Sequence, residues 1–429
     1  MSIQSVLAFP AIVRDAGKLD TTFAAKGTAQ VYFFGSTSSL ANDIAIDSQG
    51  RLLVAAKVSL PGGSRFGLAR LLRDGSADLA FGKQGSVIGQ FEPGFEAMAG
   101  KVKVLPNGHI LIVGLQYESE HFTLPALALF DSLGQPVKRF GDNGRRVVRL
   151  PGNFSQGMRD VWLPPGVPGA EACGVDVQDD GRILLVANHH YELADHADML
   201  IRLTAEGALD NSFNGRGFVM VRHLLMNTWL SSVTVQGDGR ILVGGSINFP
   251  EEGLVARYHA DGSLDSSFAL DGFMSFMACG HSAQVSQLVQ QANGDVQCFG
   301  SSREPMRCLA LKIHANGRPD HHCNGGQAQL LEIGRSGCQW TAAQMQPDGS
   351  VLTAGATIGG VEADFVLGRY LPGGQLDGDF GDGSGFVRTR LGRSLDTATS
   401  IAVQNDGNIL VGGYSLDGTY RAIVARYLG

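Results

Sequence analysis

One pattern recurs along nearly the whole chain, and a chain that repeats itself this way builds one kind of unit many times over. In its clearest copy it runs Leu254-Val255-Ala256-Arg257-Tyr258, then Asp261-Gly262-Ser263-Leu264-Asp265, then Phe268 and an apolar stretch. It closes on a hairpin such as Val233-Thr234-Val235-Gln236 followed by Asp238-Gly239-Arg240-Ile241-Leu242-Val243-Gly244-Gly245. The hairpin glycines are Gly50, Gly108, Gly181, Gly239, Gly294, Gly349 and Gly407, with gaps of 58, 73, 58, 55, 55 and 58. Two short apolar runs joined by Asp-Gly or Asn-Gly read as a tight hairpin whose two central residues both take positive φ. Each repeat therefore supplies four strands, a to d. Strand a follows the Phe linker, b and c flank the hairpin, and d ends in Arg-Tyr or Arg-Leu as the outer strand. No stretch has helical periodicity. Seven four-stranded antiparallel units predict an all-β fold, a seven-bladed β-propeller, and closing the ring hides the sheet edges that an open stack exposes.

The repeats also predict an ion pair. Five residues before the second turn glycine stand Arg70, Arg202, Arg257, Lys312 and Arg369; eight residues after each stands Asp78, Asp210, Asp265, Asp320 or Asp377. In one repeat Leu129 and Val137 replace base and acid together. A buried pair predicts such joint loss, because a lone buried charge costs about 3–5 kcal/mol. The pair is expected to tie each outer strand to the linker crossing to the next blade, with Arg426 and Asp20 meeting across the ring closure. The linker phenylalanines (Phe23, Phe81, Phe140, Phe213, Phe268, Phe380) are expected to wedge between blades, each contributing about 1.5–3 kcal/mol. The third linker, Val137-Lys138-Arg139-Phe140, and the sixth depart most. In the sixth, Pro319-Asp320-His321-His322-Cys323, a cysteine takes the Phe slot. His-His-Cys has metal-ligand character, and the repeat reads Cys323 as a small core substitute.

Residues 8–23 imitate an outer strand plus linker, giving eight such strands for seven blades. Pro10 cannot donate in a sheet interior, so residues 1–16 are read as an edge segment beside blade seven or as coil, with the propeller spanning 17–429. Composition adds exclusions. A net charge of −7 without a basic stripe excludes a nucleic-acid partner, and no apolar run reaches membrane-helix length. No basic, apolar leader opens the chain, so the cytoplasm is the default location, with export by another route left open. The six cysteines do not recur with the repeat and are expected reduced; Cys298 and Cys308 flank a short loop and face each other if it is a hairpin.

With Leu209-Asp210-Asn211-Ser212-Phe213 and the Val-Gln-x-Asp-Gly-x-Ile-Leu-Val-Gly-Gly hairpin, residues 17–428 resemble the delta-60 repeat family of bacteria. The resemblance implies a β-propeller-type repeat, often in surface or exported proteins. It implies no reaction and no catalytic residues.

Function must then sit where the repeats differ. Alternating strand direction sends the Asp-Gly turns and Phe linkers to one monotonous face, and the a–b and c–d loops to the other. That variable face holds Trp162, Trp229 and Trp340, together with His121, His189, His190, His196, His223 and His281. Irregular loops on a rigid scaffold are the usual place for binding, and Trp is favoured at hot spots; aromatic plugs over strand ends are the bland alternative. His189-His190 and His196, with Asp195 and Asp198, offer metal-ligand types without compact spacing. Glu251-Glu252 and Glu118/Glu120 read as solvent-facing. No nucleophile elbow or phosphate loop occurs. The reading is a non-enzymatic scaffold, without cofactor or metal, that binds a protein or glycan through Trp229, Trp340, His189, His190 and Arg303. The alternative is a propeller-type hydrolase, lyase or lactonase with its site at the central channel mouth.

Overall fold

The structure, a computed structural model, describes residues 15–119, 122–151, 157–158, 174–187, 190–192, 195–196, 198–223, 227–247, 252–333, 337–358, 363–393 and 395–429. These build seven four-stranded antiparallel blades around a central channel, and the one helical segment described is the short turn Asn324–Gly326. Blade one comprises, from the channel outward, Ser38–Ile46, Leu52–Leu60, Gly63–Leu71 and Ser86–Gly89. The innermost strands of the following blades begin at Glu96, Gly174, Thr228, Ser282, Cys338 and Leu395. Hydrophobic cores lie between blades: one joins Leu410 and Val424 of blade seven to Leu52 and Val54 of blade one. No described helix is long and apolar enough to cross a membrane.

The phase of the repeat differs from the sequence expectation. The Arg-bearing strand is third in its sheet, because Ser86–Gly89 pairs back onto it with Ser86 opposite Ala69. The Phe linker thus returns to the same blade, and the step to the next blade is made by the loop from outermost to innermost strand. A circular repeat reads alike from any starting point, so only strand pairing fixes where a blade begins. The hairpins are also looser than expected. In the first, Gly50 alone takes positive φ. Gly50 N–H bonds the Asp47 carbonyl at 2.8 Å and Asp47 N–H bonds that of Arg51 at 3.0 Å, an ordinary turn followed by a left-handed glycine.

Each predicted ion pair is present. Arg70–Asp78 closes at 2.8 Å, Arg202–Asp210 and Arg257–Asp265 at 2.7 Å, Lys312–Asp320 at 3.0 Å and Arg369–Asp377 at 2.6 Å. The guanidinium carries two further loads. It covers the linker ring, with centroid distances from 4.5 Å (Arg70 over Phe81) to 4.8 Å (Arg369 over Phe380). It also donates to a carbonyl of the next blade, Arg70 to Ser132 and Arg202 to Ala260. Where Leu129 and Val137 stand instead, the backbone bond from Val137 N–H to the Leu129 carbonyl survives at 2.9 Å and Leu129 is buried.

The phenylalanines do wedge. Phe81 lies against Gly134 of the next linker, Phe140 against Gly207 and Phe213 against Gly262, each at a left-handed turn glycine with no room for a side chain. Linker also bonds linker, as in Gly82 N–H to the Leu133 carbonyl at 2.9 Å and Asn214 N–H to that of Asp261 at 2.7 Å. In the sixth linker Cys323 Sγ takes the ring's place against Gly374, and Gln329 Nε2 reaches the Gly374 carbonyl at 2.7 Å.

The N-terminal segment closes the ring. Thr28–Gln30 is the outermost strand of blade seven, with Thr28 opposite Ala425. Leu428 N–H bonds the Lys18 carbonyl at 2.9 Å and Gly17 N–H bonds that of Leu428 at 2.8 Å. These repeat the bonds Leu72 N–H to Ser76 and Gly75 N–H to Leu72 of blade one. Residues 15–23 therefore form the seventh linker, with Phe23 fully buried. The strand-like residues 8–14 lie outside the described residues.

Candidate functional site

The loops that join blades, and those after each second strand, emerge together on the variable face. Over blades one and two they assemble a track of polar side chains. Gln116, near the end of the second strand of blade two, is fully buried. Its Nε2 donates to Glu92 Oε2 at 2.9 Å and to Glu118 Oε1 at 2.8 Å. Arg149, on the far side, donates from Nη1 and Nη2 to the two oxygens of Glu92, both at 2.6 Å, and from Nη2 to Glu118 at 3.0 Å. Glu92 lies in the loop from blade one to blade two and Arg149 in that from blade two to blade three. The network therefore gathers the two loops that flank blade two, while 45% of the Arg149 side chain stays exposed. Towards blade one, Tyr117 OH accepts from Lys57 Nζ at 3.2 Å. Glu96 Oε2 accepts from the Ser64 hydroxyl at 2.6 Å and its amide at 3.0 Å.

The charges are fixed. Hydrogen bonds from Arg149 hold Glu92 below the usual carboxylate range, and Glu92 in turn raises Arg149. The Ser64 hydroxyl does the same for Glu96. A general acid needs a carboxyl pushed up, towards the working pH. Glu92 and Glu96 move the other way, which suits them to holding a polar ligand.

The expected contact residues fare differently. Trp340 is fully buried between blades five and six, and its Nε1 donates to Tyr370 OH at 3.1 Å. It stands opposite Gly355 just before the inner-strand bulge, so alternation turns it into the core. Trp229 lies one place earlier relative to its bulge, opposite Ser246, and stays partly exposed. Arg303 ends the second strand of blade five, its backbone N–H on Ser282 Oγ at 3.2 Å. These two stand at the variable-face ends of neighbouring blades. His190 and His196 are direct cross-strand partners in a two-stranded extension of blade three. His121, His189 and Trp162 lie outside the described residues, as do the side chains of His190 and His196. His223 stacks on Phe273 with centroids 4.8 Å apart. Asp198 faces inward: burial pushes its carboxyl up to about 8, and it accepts from Leu230 N–H of blade four. Glu118, expected in solvent, is ion-paired.

Among the described residues one trio could gather around a metal ion: Asp295, His314 and Asp320, whose ligand atoms lie within 4.8 Å of one another. Lys312 Nζ already sits 3.5 Å from Asp295 and 3.0 Å from Asp320, on the face of turns and linkers. His321 and His322 are not in that trio, and Cys323 Sγ accepts from Gln329 Nε2 at 3.1 Å. Cys298 stands opposite Leu311 and Cys308 opposite Ser301, so they do not face each other, and both are free thiols.

Residues 48–81, 236–268 and 404–428 match a family model described as "Domain of unknown function (DUF5122) beta-propeller". No curated protein matches the chain. Among solved structures, a catalytically inactive virginiamycin B lyase from Staphylococcus aureus with quinupristin is similar at 9% identity and TM-score 0.50, covering 93% of this chain and 98% of that one. A protein of unknown function from Dyadobacter fermentans is similar at 11% identity and TM-score 0.46, over 81% and 95%. The polysaccharide lyase Uly1 is similar at 11% identity and TM-score 0.47, over 97% and 98%. At such identities the likeness is one of fold.

Proposed function

We propose that this β-propeller repeat protein is a non-enzymatic recognition scaffold that takes a glycan on its variable face. The observation that carries the reading is the Glu92–Arg149–Glu118 network seated on buried Gln116. It is a rigid, partly exposed set of ionised donors and acceptors contributed by loops that differ from repeat to repeat. Paired side chains held in one geometry lose little entropy when a hydroxyl-rich ligand arrives, which favours affinity. Trp229 and Arg303 are offered as further contacts on the same face, while His189 and the side chain of His190 lie outside the described residues. Trp340 is left out, because its ring is enclosed.

The test is a glycan panel read by thermal shift and by assay for new reducing or unsaturated ends. A ligand at 100 times its Kd stabilises the fold by about 2.7 kcal/mol. Arg149→Ala is expected to lose that shift while the free protein stays folded. Cleavage products from a bound glycan would replace the scaffold with the enzyme reading, and an Arg149→Ala variant that binds undiminished would move the site elsewhere.

A further inference from the structure

Cys308 opens the third strand of blade five, Cys308–Ile313, and Cys338 opens the innermost strand of blade six, Cys338–Met345. Both are fully buried. They belong to different sheets, yet Cys308 N–H donates to Cys338 Sγ at 3.2 Å, which sets the Cys338 sulfur against the backbone of Cys308. Cys338 Sγ in turn donates to the Leu331 carbonyl at 3.1 Å. Their cover is thin: Cys338 N–H bonds the Met306 carbonyl at 3.2 Å, and partly exposed Met306 and Arg307 lead directly into Cys308. We infer that Cys308 and Cys338 are a redox-active dithiol which, on meeting a hydroperoxide, closes into a disulfide stapling blade five to blade six.

The chemistry balances on that oxidant alone. The thiolate of Cys338 attacks the peroxide oxygen and the O–O bond breaks, releasing water or an alcohol and leaving a sulfenic acid. Cys308, deprotonated, attacks that sulfur; the S–O bond breaks, water leaves and the S–S bond forms. Two thiols lose two protons and two electrons, and one peroxide is reduced. Cys338 is the better attacker, because the hydrogen bond from Cys308 favours its thiolate, whereas burial pushes the Cys308 thiol up. The product ties the segment before Cys308 to the segment before Cys338, both on the variable face.

The experiment is peptide mapping of the native full chain under non-reducing conditions, before and after hydrogen peroxide. Exposed Cys279 serves as the internal control for oxidant dose. The expected result is a linked peptide pair containing Cys308 and Cys338, lighter by two hydrogens, restored by a dithiol reductant and accompanied by a higher melting temperature. Cys298→Ser should leave the link intact, and Cys338→Ser should abolish it. Oxidation of Cys279 with both buried thiols still free would overturn the inference, as would a link from either cysteine to any other.

Discussion

Arg426 Nε lies 2.8 Å from Asp20 Oδ2, although 406 positions of chain separate them. The pair does at the ring closure what Arg70 and Asp78 do within a continuous linker. It also covers Phe23 at 4.7 Å. Asp20→Ala should therefore loosen the N-terminal strand Thr28–Gln30 from its place at the outer edge of blade seven. Stability is expected to fall by about 3–5 kcal/mol, the cost of stranding a buried charge, measured by urea denaturation.

The repeat holding Leu129 and Val137 shows how the pair can be dispensed with. Arg70→Leu or Asp78→Val alone should each lose about 3–5 kcal/mol, and the double variant should recover most of it, since removing both charges leaves none stranded. A double-mutant cycle with additive losses would refute this.

Acid should unfold the protein through the linkers. Burial alone would raise Asp265, but bonds from the Ser267 hydroxyl and amide, then from Arg257, outweigh it and hold the carboxyl at about 2. A depressed folded value means the stabilisation is present above the unfolded value, about 4, and is lost as pH falls through about 2. Asp20, Asp210 and Asp320 are shifted in the same direction. Melting temperature is expected to drop between about pH 4 and pH 2, and Asp265→Asn should flatten that drop.

The two tryptophans should separate by phenotype. Trp340→Ala empties a core site and strands Tyr370 OH, at a cost of about 3–5 kcal/mol. Trp229→Ala should cost under about 1.5 kcal/mol and weaken ligand capture instead. Thermal melts and the glycan panel read the two effects independently.

Gly245 is fixed by the inner-strand bulge. A Cβ there would overlap the Trp229 carbonyl oxygen, and Gly300 and Gly355 stand the same way against Gln284 and Gln339. Gly245→Ala is expected to cost about 1–3 kcal/mol. Gly237 has nothing nearby and no left-handed φ, so Gly237→Ala should be neutral or stabilising by about 0.4–1 kcal/mol.

Much of the fold was legible because the repeats comment on one another. Joint replacement by Leu129 and Val137 exposed the ion pair, and a Phe at a constant offset exposed the wedge. The polar track was not legible. Glu92 and Arg149 are 57 residues apart on blade-joining loops whose sequences do not repeat, so nothing in the pattern pointed to their meeting. Trp229 and Trp340 looked alike in sequence; one step of register ahead of the bulge separates a partly exposed ring from a core one.

The amino-acid order alone determined the number of blades, their strand content and the contacts that recur in each, because local alternation, turn residues and side-chain size act identically at every copy. Tertiary structure decided the phase of the blades, the stitching of residues 15–30 onto the last one, and which unlike side chains converge on the variable face. Those depend on hydrogen bonding and packing between segments far apart in the chain, and a periodic sequence carries no local signal for them.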